Sequence, residues 1–287
     1  MKKINGIFLL ILILFVTLTS CVKDPEDKSV EQDLSCLLTE YIGNDWQYYF
    51  SYDQKDRLER VLYDSDNGSY SYEVTDYTDG KVSQIVLIND GYESFYEQYY
   101  FGTNELTVEY YSKDGIENWY LEDRYEYTYD SQGQVKKRDW YYDANDGYGL
   151  NLIGYRKYTW RSGNIIKREY WYSNKKSAKL DRQNLFDPYE PKHHLKSTND
   201  EISYTANFEY DNKPNAKASI GLFWLDVTFS ANNITKATYT YNDGSINVSN
   251  ISYSYQANGF PEYSTEAYKA EGENTVYYEN FYHYQCD

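Results

Sequence analysis

Histidine is nearly missing from this chain, with three among 287 residues. Two of them are neighbours, His193 and His194, beside Asp187, Glu190 and Asp200. Adjacent histidines rarely ligate one ion together, and the helical spacing of zinc motifs is absent. They read as solvated loop residues, and His283, between Tyr282 and Tyr284, as a half-exposed strand residue. No metal and no cofactor are expected. Asp64–Gly68 and Asp143–Gly147 have calcium-loop composition, but neither has the glycine at six and glutamate at twelve of an EF-hand. Gly-x-Ser-x-Gly, the P-loop and the dinucleotide fingerprint are missing too, so no catalytic residue is nominated. With 45 acidic residues, a polysaccharide hydrolase with dispersed carboxylates stays open as an alternative.

Positive charge is also short. Against those acids stand 28 Lys and Arg, a net charge of −17. That balance argues against nucleic acid and anionic headgroups as partners. The apolar run Ile7–Val16 falls short of the ~20 residues of a spanning helix. Lys2 and Lys3 precede it and Leu18-Thr19-Ser20-Cys21 follows, the layout of a lipoprotein signal. Residues 1–20 are read as the signal, Cys21 as the lipidated residue, and 21–28 as a charged tether. Several acyl chains at ~0.8 kcal/mol per buried CH₂ hold a protein on a membrane. The acidic run after Cys21 resembles the surface-export signal of Bacteroidota lipoproteins, which implies an outer-membrane protein facing the exterior; the periplasmic leaflet is the other reading.

With Cys21 committed to lipid, Cys36 and Cys286 remain, near the two ends of the mature chain. Outside the cytoplasm they can form a disulfide; two separate thiols are the other reading.

Helical periodicity is confined to one stretch, Ser29–Ile42. There Val30, Leu34, Leu37, Leu38, Tyr41 and Ile42 share a face, and Ser29 with Gln32 can form a capping box. Without further helices, a parallel βαβ sheet is excluded. What fills the chain is tyrosine, 38 residues against 11 Phe and 6 Trp. Each ring can bury ~150–250 Å² while its hydroxyl seeks water or a partner.

Residues 125–172 hold one unit written twice. Tyr125–Gly133 leads to Gln134–Tyr142, and Tyr155–Gly163 leads to Asn164–Tyr172, with Tyr127 matching Tyr158 and Val135 matching Ile165. Each copy reads as strand, glycine turn, strand, with alternation at period two. Asn67-Gly68, Asp79-Gly80, Asp90-Gly91 and Asp114-Gly115 are hairpin dipeptides of the same rhythm. Lys175–Asp200 reads as a long loop, and a short helical turn is expected near Leu222. The expected fold is all-β: a large antiparallel meander in one strongly curved or barrel-like sheet, with one N-terminal amphipathic helix packed on it, all within 29–287. Tyrosine and charge along the strands disfavour a membrane-spanning barrel, whose outer band is aliphatic.

Tyr52–Leu58 and Tyr129–Gly133 resemble the tyrosine-aspartate repeats of Rhs-type shells. The lipobox, the units ending Gly163–Lys167, Phe208–Asn215 and Ser230–Thr235 together resemble a family of uncharacterised Bacteroidota lipoproteins with a porin-like fold. That resemblance implies a curved antiparallel sheet and no activity. Trp140, Trp160 and Trp171 crowd the duplicated unit and are the candidates for stacking on sugar rings; packing across strands is the other reading. The function expected is non-catalytic binding of glycan, peptide or another envelope protein, with a purely structural role as a further alternative.

Overall fold

The computed structural model describes residues 36–114, 118–143, 149–172, 201–215, 217, 220 and 229–286. Cys21, His193, His194, the Lys175–Asp200 loop and Ser29–Ser35 of the expected helix lie outside them. Sixteen antiparallel strands follow in chain order, from β1 (Cys36–Ile42) and β2 (Trp46–Tyr52) to β15 (Pro261–Lys269) and β16 (Val276–Cys286). Each pairs with its sequence neighbours, and β16 pairs back onto β1, so the sheet is a closed barrel. Closure removes the exposed edges that an open sheet must protect.

The strands form because aromatic and polar residues alternate. In β8 (Asn118–Tyr129), Tyr125 and Tyr127 are buried while Glu126 is half-exposed and Thr128 exposed. Register carries this alternation round the wall: Tyr127 faces Arg138 of β9 (Val135–Asp143), and Arg138 faces Arg156 of β10 (Leu150–Arg161). Buried side chains from β1 to β11 (Asn164–Tyr172), with Tyr282 of β16, pack as one cluster. A smaller cluster on the same side joins Tyr170 of β11 to β12 (Glu201–Pro214) and β13 (Asn232–Tyr241). A face buried round a closed barrel is its interior.

One clasp recurs at the end where the chain enters and leaves the barrel. There an aromatic residue near the end of an even strand pairs with an aliphatic residue, or proline, near the start of the next. The pairs include Tyr52 with Leu58, Tyr129 with Val135, Trp160 with Ile165 and Tyr255 with Pro261. A register shift falls just before each of these four aromatics, a bulge that bends the strand and turns the ring. Several such rings also donate to the preceding strand: Tyr52 Oη to Leu38 O at 2.7 Å, Trp160 Nε1 to Val135 O at 2.7 Å, and Tyr210 Oη to Ile165 O at 2.5 Å. The aspartate after the tyrosine shapes the turn. Asp53 Oδ1 accepts from the Lys55 and Arg57 amides, and Asp130 Oδ1 from those of Gln132 and Gln134. At the opposite end Asp90-Gly91 has φ of 50° and 78°, the left-handed pair of a two-residue hairpin loop.

Cys36–Ile42 is a strand, not the second half of a helix. The reason is a bulge between Leu38 and Glu40. It turns a period of two into the buried spacing Cys36, Leu38, Tyr41, which imitates a helical face. Pairing on both sides decides the outcome, since β1 is the strand that closes the barrel. Across that seam Cys36 and Cys286, 250 residues apart in sequence, are joined by a disulfide. Of the expected turn near Leu222, the described part is a single bond from Ile220 N to Lys217 O at 3.2 Å.

Candidate functional site

The inward wall carries the charges that chemistry would need. Glu97 of β6 (Tyr92–Phe101) faces Tyr110 of β7 (Glu105–Asp114) and accepts a hydrogen bond from Tyr99 Oη. Burial pushes its carboxyl up to about 7, against the pull of the Tyr99 hydroxyl. Glu266 of β15 accepts from Ser249 Oγ of β14 (Ile246–Tyr255). Burial raises its carboxyl too, opposed by Ser249 and by the positive charge of Lys217. The two acids stand on nearly opposite sides of the strand order and share no partner in these contacts. They do not form the close pair of a glycosidase.

Among the described residues three arginines sit inside: Arg138, Arg156 and Arg168, on β9, β10 and β11. Each guanidinium lies over a ring, Arg138 at 4.9 Å from Tyr125, Arg156 at 5.7 Å from Tyr170 and Arg168 at 5.6 Å from Phe208. Weak hydration and a planar charge suit arginine to such burial. The signal was in the duplicated unit: Lys137-Arg138-Asp139 and Lys167-Arg168-Glu169 place arginine inward and its neighbours outward. Outside, Lys137 pairs with Asp139 at 2.6 Å and Lys167 with Glu169 at 2.9 Å.

Between β12 and β13, the described residues Lys217 and Ile220 are buried against the inner face of the barrel. Asn215 holds this connection, its amide donating to Ala231 O at 2.9 Å and its Nδ2 to Ser230 O at 2.9 Å. Ser230 Oγ accepts from Ile165 N at 3.1 Å. From there Phe229 packs on Tyr127 and Tyr158, and Ile220 joins the main core cluster. Lys217 is buried, with Nζ 4.2 Å from the centre of the Tyr41 ring on β1. The interior is therefore occupied by the chain's own residues at this level.

The outer wall carries charge. Ion pairs lie round it: Arg60 with Glu73 at 3.6 Å, Arg124 with Glu109 at 2.5 Å, and Lys236 with Glu209 at 3.0 Å. A lipid-facing wall would carry an aliphatic band, and each basic charge at its midplane costs ~2–4 kcal/mol.

The tryptophans do not share a surface. Trp140 points inward, stacked on Tyr125 with Nε1 donating to Asp123 Oδ1 at 2.7 Å. Trp160 packs on the main core cluster and serves the clasp. Trp171 lies on the outer wall, stacked on Tyr155 at 5.7 Å, and Lys157 Nζ sits 5.0 Å from its centre. Exposed rings are elsewhere, at Tyr92, Tyr100, Tyr277, Tyr278 and Phe281.

No family model matches the chain, and no curated protein matches it. Its likeness is to porin-like proteins of Bacteroides. A porin-like protein from Bacteroides uniformis ATCC 8492 is 10% identical, with a TM-score of 0.38 over 86% of this chain and 96% of that one. One from Bacteroides vulgatus ATCC 8482 is also 10% identical, with a TM-score of 0.38 over 87% and 98%. A protein with unknown function from Bacteroides fragilis NCTC 9343 is 14% identical, with a TM-score of 0.27 over 47% and 81%.

Among the described residues no group of His, Cys, Asp and Glu could hold a metal ion. His283 Nε2 lies 3.9 Å from Glu40 on the outer wall.

Proposed function

We propose that this protein is a lipid-anchored, non-catalytic binding module of the cell envelope, held by Cys21 and turned to the exterior. Its partner is a glycan, a peptide or another envelope protein, engaged by the outside of the barrel. The observation that carries this reading is the buried position of Lys217 against Tyr41, which puts side chains of the chain itself inside the barrel at that level. A closed barrel with an ionic outer wall is a rigid, water-facing body, and binding residues on such a body are best kept on its outside. Glycan arrays, calorimetry and pull-downs with the purified chain test the reading. Saturable binding of one partner class supports it. Blank screens together with empty pull-downs would leave a purely structural envelope protein. Turnover of a polysaccharide, lost on changing one Asp or Glu, would establish a hydrolase instead.

A further inference from the structure

The bond that joins β1 to β16 has two unlike ends. Cys36 is 1% exposed, while Cys286, its register partner across the seam, is exposed at the end of β16. Asn258, in the turn between β14 and β15, reaches both sulfurs. Its Nδ2 lies 3.3 Å from Cys36 Sγ and 3.4 Å from Cys286 Sγ, donating to each. Phe260 N donates to Asn258 Oδ1 at 3.1 Å, in a turn closed by Gln256 N on Phe260 O and Gly259 N on Gln256 O, both at 2.9 Å. With its oxygen held there, the amide turns its N–H groups to the sulfurs.

A disulfide opens when a thiolate attacks one sulfur and the other leaves, so access selects the sulfur attacked and the leaving thiolate sets the pace. Access favours Cys286. A hydrogen bond donated to the departing Cys36 sulfur favours its anionic form.

We propose that Cys36–Cys286 is a thiol–disulfide exchange site for an external dithiol, attacked at Cys286, with Cys36 as the leaving sulfur and Asn258 as its donor. A thiolate of the dithiol bonds to Cys286 Sγ, and the S–S bond breaks with its electron pair on Cys36 Sγ, which takes a proton from water. The second thiolate then attacks its own partner sulfur in the mixed disulfide and expels Cys286 as a thiolate, protonated in turn. The dithiol leaves oxidised and the protein holds two thiols, the protons given up by one matching those taken by the other. An external disulfide runs the same steps backwards. What the exchange controls is the start of β1. Only Glu40–Ile42 pair with β2, so reduction leaves Cys36–Leu38 on β16 and the Tyr52 hydroxyl. The exchange site needs no ligand on the outer wall and stands or falls apart from the binding module.

The test uses the full chain, folded and oxidised. Brief exposure to 2-mercaptoethanol, an acid quench and peptic mass mapping are expected to place the adduct on Cys286 about tenfold or more over Cys36. An equal split, or an excess on Cys36, would overturn the proposal. Reduction by dithiothreitol is expected to run in proportion to its concentration while the buried Ala206 and Tyr239 keep their amides protected from exchange. A rate that levels off, or protection lost throughout, would mean that the bond opens only with the barrel and would overturn it too. Asn258→Ala is expected to slow reduction about tenfold. In high salt, Asn258→Asp, which keeps an oxygen for Phe260 N, is expected to stay as slow. Recovery of the original rate by Asn258→Asp would overturn the donor role. Reduced thioredoxin at equal concentration separates the sources of the dithiol, a faster reaction assigning a protein and a slower one a small molecule.

Discussion

Lys217 Nζ lies 4.2 Å from the centre of the Tyr41 ring, bringing the β12–β13 connection against the first strand of the barrel. The contact is buried on both sides. A desolvated cation–π pair is worth ~2 kcal/mol or more, an exposed one ~0.5–1. Lys217→Ala is therefore expected to destabilise the chain by about 2 kcal/mol in urea unfolding. Lys81→Ala, an exposed lysine 5.0 Å from the Phe101 ring, should cost less than about 1 kcal/mol. Equal effects would mean that the connection is not seated inside.

Glu97 gives stability a pH dependence. Its carboxyl titrates near 7 in the folded chain and near 4.5 when unfolded. Between those values the folded state holds the extra proton, so this group's contribution is full below about 4.5 and is lost as pH rises through about 7. At 1.36 kcal/mol per pH unit the loss is of order 3 kcal/mol. Glu97→Gln should flatten that part of the urea-stability profile and stabilise the chain at pH 8. A profile unchanged by the substitution would place the carboxyl in water.

The seam between β1 and β16 depends on Cys36–Cys286. Backbone pairing of β1 with β2 covers only Glu40–Ile42, so the rest of that strand is held by β16, the disulfide and the Tyr52 hydroxyl on Leu38 O. Replacing both cysteines by serine is expected to cost ~2–5 kcal/mol. Hydrogen exchange should then quicken first at Leu37 and Leu38. Exchange spread evenly over all strands would contradict a local role for the bridge.

The clasp predicts a small, specific loss. Tyr52→Phe removes the hydroxyl that donates to Leu38 O and should cost roughly 1 kcal/mol. Tyr49→Phe, on the half-buried outer register of the same strand, should stay within about 0.5 kcal/mol. Matching values for the two variants would remove the clasp from the account.

Hairpins were legible because aromatic, turn and aliphatic recur locally, as in Tyr129–Val135 and Trp160–Ile165. Long-range features were not. The bulge at Leu38–Glu40 gave a closing strand the periodicity of a helix, and only pairing with β16 corrects it. Lys217 reaches Tyr41 from an irregular connection, where no period exists to say which way a side chain points. The tryptophans looked like one cluster since they crowd one stretch, yet period two sent Trp140 inward and Trp171 outward. Arg138 and Arg168 hid among charges that appeared to interrupt strands, when alternation places them in the interior.

The central claim is a filled barrel whose outer wall meets water, and hydroxyl-radical footprinting of its tyrosines tests it most directly. The account predicts rapid oxidation at Tyr92 and Tyr277 and protection at Tyr72, Tyr99 and Tyr239, unchanged when phospholipid vesicles are added. Inward tyrosines oxidised as fast as outward ones, or outward ones shielded by the vesicles, would contradict it.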